Sequence, residues 1–154
     1  MAYQKIMKSG VIIESVAKTV VVNENNEALV LTIGEYKERP DKSHTSDLPG
    51  GQIEIADGES EMAGAIREAE EEAGIVIDPK RMVLAYTKTR GFIDENKSVS
   101  FFLYIANLDH TPEVVVSWEH ESYEWVPLEK LLETKTFRPF YKEAMEYAFA
   151  NKLL

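Results

Sequence analysis

The sequence has no cysteine. That excludes disulfides, thiol nucleophiles and thiolate metal sites together. Long apolar runs are missing too: stretches such as Val20-Val21-Val22 and Val114-Val115-Val116 fall far short of the roughly 20 residues that a membrane-spanning helix needs. The opening segment, Met1 to Gly10, alternates polar and apolar residues and lacks the apolar core of a secretory leader. A soluble, cytoplasmic protein without a membrane partner is therefore expected. Positive charge is scarce, with 17 Lys and Arg against 27 Asp and Glu and a formal net charge of −10. Binding to a nucleic-acid polymer relies on Lys and Arg replacing condensed counterions, so no such partner is expected. A small phosphorylated substrate remains compatible, provided that cations are recruited to offset the carboxylates around it. The chain also lacks Gly/Ser or Pro linkers, low-complexity tracts and internal repeats. Its 154 residues, 44% hydrophobic, are expected to form one domain, 1–154, around one core.

Val, Ile and Thr dominate from Val11 to Asn23 and again from Ala28 to Ile33, with the turn-forming Asn23-Glu24-Asn25-Asn26 between them. This pattern predicts a strand hairpin. From Gly34 to Asp47 the chain is polar and contains Pro40, which reads as a long surface loop leading into Leu48-Pro49-Gly50-Gly51; loops of that length usually have a function. Between Glu61 and Ala73 the apolar residues Met62, Ile66, Ala69 and Ala73 recur at helical spacing. Ser60 is placed to cap that helix, Glu59 and Glu61 suit its positive end, and Gly74 suits a left-handed terminus. Strands are predicted at Met82–Thr89, Val99–Ala106, Val114–Ser117 and Tyr123–Val126, and a closing amphipathic helix at Phe137–Phe149. The mixed order without regular βαβ units indicates an α+β or sandwich layout.

Glu68, Glu71 and Glu72 stand at i, i+3 and i+4 of the predicted helix, so they project from one side, displaced from its apolar stripe. Three crowded carboxylates repel one another, and a hard divalent cation reverses the sign of that interaction. A charge run is more often a solvated helix face. Two features favour the metal site: the small residues Ala63, Gly64, Ala65, Ala69 and Ala73 leave room for close approach, and the Gly50-Gly51 turn precedes the helix.

Gly50-Gly51, Glu59 and the run Arg67-Glu68-Ala69-Glu70-Glu71-Glu72-Ala73-Gly74-Ile75 closely resemble the Nudix signature G-x5-E-x7-R-E-U-x-E-E-x-G-U, where U is apolar. From Glu59 to Ile75 every fixed position fits. Seven residues instead of five separate Gly51 from Glu59, a two-residue insertion most simply placed between Glu54 and Gly58. The resemblance implies an αβα sandwich around a mixed β-sheet and a metal-dependent pyrophosphohydrolase. It implies Mg²⁺, or Mn²⁺ in its place, held by Glu68, Glu71, Glu72 and the backbone carbonyl of Gly51. Arg67 is then a positioning residue, and Glu59 ties loop to helix. Glu68 is the first choice to take the proton of the attacking water, with Glu121 second and Glu119 an alternative to Glu121.

The substrate implied is a nucleoside di- or triphosphate or a nucleotide joined through diphosphate to another group. ADP-ribose, nucleotide sugars and dinucleoside polyphosphates are the alternative substrates. A non-catalytic nucleotide-sensing module is the alternative of another class. A homodimer is left open. Outside the signature, His44, His110 and His120 read as surface or hydrogen-bonded residues and not ligands. Trp125 and Phe101 read as core. Lys37, Arg39, Lys88 and Arg90 are equally suited to phosphate contact and to solvation.

Overall fold

The computed structural model describes residues 6–8 and 10–154. The Val-rich segment predicted as the first strand forms β2 (Val11–Val22), preceded by β1 (Ile6–Lys8). At its end Asn23 turns the chain: its side-chain oxygen accepts the N–H groups of Asn25 and Glu27, both at 3.0 Å, an Asx-type turn that starts β3 (Glu27–Ile33). Short strands β4 (Ser46–Asp47) and β5 (Gly50–Gln52) precede helix α1 (Glu61–Ala73). Strands β6 (Met82–Phe92), β7 (Lys97–Asn107) and β8 (His120–Pro127) follow, then α2 (Leu131–Thr134) and α3 (Pro139–Ala150).

One edge of β2 pairs in parallel with β7 from Ile12↔Lys97 to Val22↔Asn107, and β6 adds antiparallel to β7. The other edge of β2 is shared. β3 meets it only at Val22↔Ala28, while β5 occupies Val16 to Lys18 and β1 the start of the strand. Away from that meeting point β3 pairs with β8 and β4 instead. The mixed sheet thus forks between β2 and β3, and the β4–β5 segment lies within the fork.

Alternation along the strands divides the core into two layers. Ala17, Val21, Leu29 and Leu31 face α1, whereas Val20, Val22, Ala28 and Val30 face α2 and α3. This is an αβα sandwich around a mixed sheet. Helix α1 has the predicted limits: the Ser60 hydroxyl accepts the N–H of Ala63 (3.1 Å), and left-handed Gly74 (φ 69°) donates to the Ala69 and Glu70 carbonyls. The predicted strand at Val114–Ser117 is absent. Its N–H groups serve the helix end, with Val115 N–H donating to Ala73 O and Ser117 N–H to Glu72 O, both at 3.0 Å. The last helix begins at Pro139 and not Phe137, because the residue before a proline is held extended (Arg138 φ −64°, ψ 153°). Among the described residues no helix is long and apolar enough to cross a membrane.

Candidate active site

Glu68 and Glu72 stand one helical turn apart on the buried face of α1, each 4% exposed, beside Ala65, Ala69 and Ala73. The expectation of three carboxylates displaced from the apolar face is corrected here. Two of them lie on the buried face, and the Glu71 side chain, 42% exposed, turns outward. Steric room decides this placement. A Cβ at Gly51 would lie 2.8 Å from the Glu68 carboxylate, and one at Gly50 (φ 146°) would strike the carbonyl of Ala17. Only glycine lets the β5 backbone approach both the helix carboxylates and β2. The Gly50 N–H donates to Glu72 Oε1 (3.1 Å).

Arg67 braces this arrangement. Its Nε and Nη2 donate to the two oxygens of Glu59 (2.7 and 3.0 Å), Nη1 to Glu68 Oε1 and Glu71 Oε2 (both 3.1 Å), and Nη2 also to the carbonyl of Gln52 (3.1 Å). Glu59 in turn accepts the N–H of Glu54 (2.9 Å). The segment expected to hold the insertion is a 3₁₀ turn, Ile55–Asp57, closed by left-handed Gly58. Glu59 spans its ends, so the extra length bulges outward and the carboxylates keep their place beside Gly51.

A second chain of charges runs beneath. Lys18, buried in β2, donates to Asp47 Oδ1, Leu48 O and Gly50 O at 3.0, 3.1 and 3.0 Å, using all three ammonium protons. The other Asp47 oxygen is 3.0 Å from His120 Nε2, which is 3.5 Å from Glu72 Oε2. Burial alone would raise the Asp47 carboxyl, yet Lys18 and His120 hold it at about 2. Glu72 goes the other way. Burial raises it, Lys18 opposes, Asp47 and Glu68 add to the rise, and the result is about 9. Glu68 is likewise raised, first by burial.

Asp47, Glu72 and His120 offer ligand atoms within 4.8 Å of one another, a buried cluster able to hold a divalent cation. Both Asp47 oxygens are engaged, by Lys18 and His120, while Glu72 Oε1 accepts the Gly50 N–H and Glu68 lies against Gly51. Glu68 and Glu72, hard oxygen donors whose burial without a compensating ion is costly, form a second grouping beside Gly50 and Gly51. Glu72 belongs to both groupings.

A cavity of about 500 Å³ opens over these carboxylates, reaching both sides of the sheet fork. Lys18, Gly51, Glu68 and Glu72 line its floor; Tyr36, Trp118 and Glu119 come from the loops, and Arg138 and Tyr141 from the start of α3. Glu121 is not among the lining residues. Its carboxylate pairs with His44 Nδ1 at 2.8 Å in an exposed position, and that bond raises the imidazole pKa. His110 pairs with Asp109. His120 is hydrogen-bonded, one of the two expected roles, but its Nε2 also belongs to the buried cluster able to hold a cation. Among the four cations singled out, Arg39 pairs with Asp41, Lys88 with Glu143, and Arg90 lies over Phe92. None of them, nor Lys37, lines the cavity. Phe101 packs on Phe140 (4.2 Å between ring centroids) and Trp125 against the α1-side core. Sequence reading missed Lys18, Lys42, Asp47, Trp118 and Arg138. A lone Lys inside the Val-rich first strand was the one available signal.

The family model described as the NUDIX domain matches residues 14–148, a span that contains all of these site residues. The chain belongs to the Nudix family. This Nudix chain is 30% identical over 91 residues to asymmetrical bis(5'-nucleosyl)-tetraphosphatase of Sus scrofa, covering 58% of this chain and 60% of that protein. The Mus musculus protein of the same name is 25% identical over 99 residues, 64% and 66% of the two lengths. The match thus spans less than two thirds of these curated relatives. Among solved structures, the MutT protein from Methanosarcina mazei Go1 superposes with a TM-score of 0.73 at 27% identity, covering 91% of this chain and 96% of that one. A C. elegans Ap4A hydrolase binary complex shares the fold with a TM-score of 0.63 at 24% identity, covering 91% and 97%.

Proposed function

We propose that this Nudix protein is a divalent-metal-dependent pyrophosphohydrolase acting on a small nucleotide substrate, with the chain 1–154 working as one domain. The observation that carries the reading is the pair of buried carboxylates, Glu68 and Glu72, stacked against Gly50 and Gly51 at the floor of an open cavity. Glu68, Glu72 and the Gly51 carbonyl would hold Mg²⁺, or Mn²⁺ in its place, with Glu71 on the outer side. The ion, when bound, supplies positive charge against the diphosphate and acidity to the attacking water.

The chain's own residues do the rest. Arg67 fixes Glu68 and Glu71 in orientation through charge-assisted bonds. Lys18 holds the Asp47–Gly50 backbone under the site. Trp118 and Tyr36, 83% and 43% exposed beside the cavity, offer aromatic faces to a planar base. A water molecule attacks one phosphorus, its proton passes to Glu68, and the bond from that phosphorus to the bridging oxygen breaks. Of the two loop acids, Glu119 is favoured over Glu121 as a second proton acceptor, because Glu119 lines the cavity and Glu121 is engaged by His44.

Nucleoside di- and triphosphates and nucleotides carrying a second group on the diphosphate all fit this chemistry. Dinucleoside polyphosphates are a second reading, favoured by the name of the Sus scrofa relative. The test is a panel of nucleoside triphosphates, ADP-ribose, nucleotide sugars and dinucleoside polyphosphates, assayed with Mg²⁺, with Mn²⁺ and with chelator. Turnover of at least one compound, lost on chelation and restored by Mg²⁺, is expected. Binding without turnover across the panel would replace the hydrolase with a nucleotide sensor, and full activity in excess chelator would overturn the metal dependence.

A further inference from the structure

Two cations line the cavity without a salt bridge among the described residues: Lys42, in the loop after β3, and Arg138, at the N-terminus of α3. Arg138 Nη2 donates to the Tyr141 hydroxyl (2.6 Å) and the guanidinium lies over that ring at 5.0 Å. Its Nε is buried with no hydrogen-bond partner. The Lys42 ammonium is pushed down by burial and then by Arg138 and Arg39, with Asp41 opposing. Neighbouring cations are differently placed. Lys18 spends all three protons on Asp47, Leu48 and Gly50, Arg39 is paired with Asp41, and Arg67 with Glu59.

Two like charges lining one cavity, in a chain of net charge −10, favour an anion that joins them. Turning the guanidinium toward such an anion forfeits no bond at Nε, since none is made there. The carboxylate floor and this basic pair line one cavity. A ligand spanning it therefore meets an end that calls for a cation and an end that calls for an anion.

We propose that Lys42 and Arg138 form a phosphate subsite for a phosphoryl group other than the one attacked, so that the protein selects nucleotides bearing a further charged phosphate over nucleotide sugars. The proposal rests on the hydrolase reading for its substrate class, but the subsite itself is tested separately. Arginine offers a planar fork and lysine a mobile point charge, a pairing suited to a tetrahedral oxyanion.

The first measurement is calorimetric binding of inorganic tripolyphosphate, in Mg²⁺, to the full chain and to Lys42→Gln, Arg138→Gln and Lys42→Arg. Each neutral variant should bind about tenfold more weakly, the loss of one charge-assisted contact, and Lys42→Arg should bind as the unmodified chain does. The second is the ratio of kcat/KM for ATP to kcat/KM for ADP-ribose, which should fall about tenfold in Lys42→Gln and recover in Lys42→Arg. Lys42 sits in a loop outside the core, so its variants carry the test even where Arg138→Gln fails to fold. Tripolyphosphate binding that is absent from the unmodified chain, or equal in Lys42→Gln, overturns the subsite. A selectivity ratio unchanged in Lys42→Gln does the same. If no compound of the nucleotide panel is turned over by the unmodified chain, the hydrolase reading fails, and the calorimetry alone decides the subsite.

Discussion

Ionising Glu72 in the folded chain works against burial and against Asp47 and Glu68, with Lys18 as the main opposing influence, and its pKa rises from 4.5 to about 9. A carboxyl raised on folding penalises the native state as pH climbs above its unfolded value, and the penalty is complete above the folded one. The metal-free protein is therefore expected to lose thermal stability between about pH 5 and about pH 9. Glu72→Gln should flatten that slope and raise the melting temperature at pH 8, as read by calorimetry in chelator; an unchanged slope would mean that the charge is compensated elsewhere. Asp47, held at about 2, acts oppositely and contributes stability that disappears only in strong acid. The same glutamates answer a second test. Glu68→Gln and Glu72→Gln should each lower kcat by at least about a hundredfold with Mg²⁺ present, while Glu121→Gln should fall well short of that. Near-normal turnover in both helix variants would mean that the buried carboxylate pair does not carry the catalysis.

Helix α1 packs its small residues so closely against the segment after β5 that ordinary helix preferences are expected to invert there. Replacing a mid-helix glycine by alanine usually stabilises by roughly 0.5–1 kcal/mol. At Gly64, however, a Cβ would collide with Ile53 Cδ1 and lie 2.8 Å from Glu59 Oε1. Gly64→Ala is expected to destabilise by about 1–3 kcal/mol, as overpacking does, measured by urea denaturation; a gain in stability would show that Ile53 yields freely. This helix was the most legible element in the sequence, because its cap, its apolar spacing and its terminal glycine agreed. The first two strands and the Gly50-Gly51 approach to the carboxylates were legible for similar reasons. The segment Val114–Ser117 was not. Three consecutive valines suit a strand, and nothing local reveals that their amides finish the C-terminus of a helix some forty residues earlier. Asp47 escaped notice, and the partners of His120 with it, for the same cause: the two lie 73 positions apart, and only the fork of the sheet brings them to Glu72.

Across the whole molecule, a surplus of ten negative charges and a floor of buried carboxylates bias the native state toward cation uptake. Anything that binds the native state alone stabilises it by mass action. Millimolar Mg²⁺ should raise the melting temperature of the chelator-stripped protein and shift it less in Glu72→Gln, whereas an equal shift in both would assign the effect to general screening. The parallel pairing of β2 with β7 has a different consequence, one for how the molecule is made. Partners such as Ile12 and Lys97, or Val22 and Asn107, lie roughly 85 residues apart, and closing so long a loop delays folding. During synthesis the Val-rich β2 emerges well before the strand that shields it, leaving an edge open to wrong pairings. Refolding from urea is expected on the millisecond-to-second scale, with a yield that falls as protein concentration rises. Stopped-flow fluorescence over a concentration series would measure both.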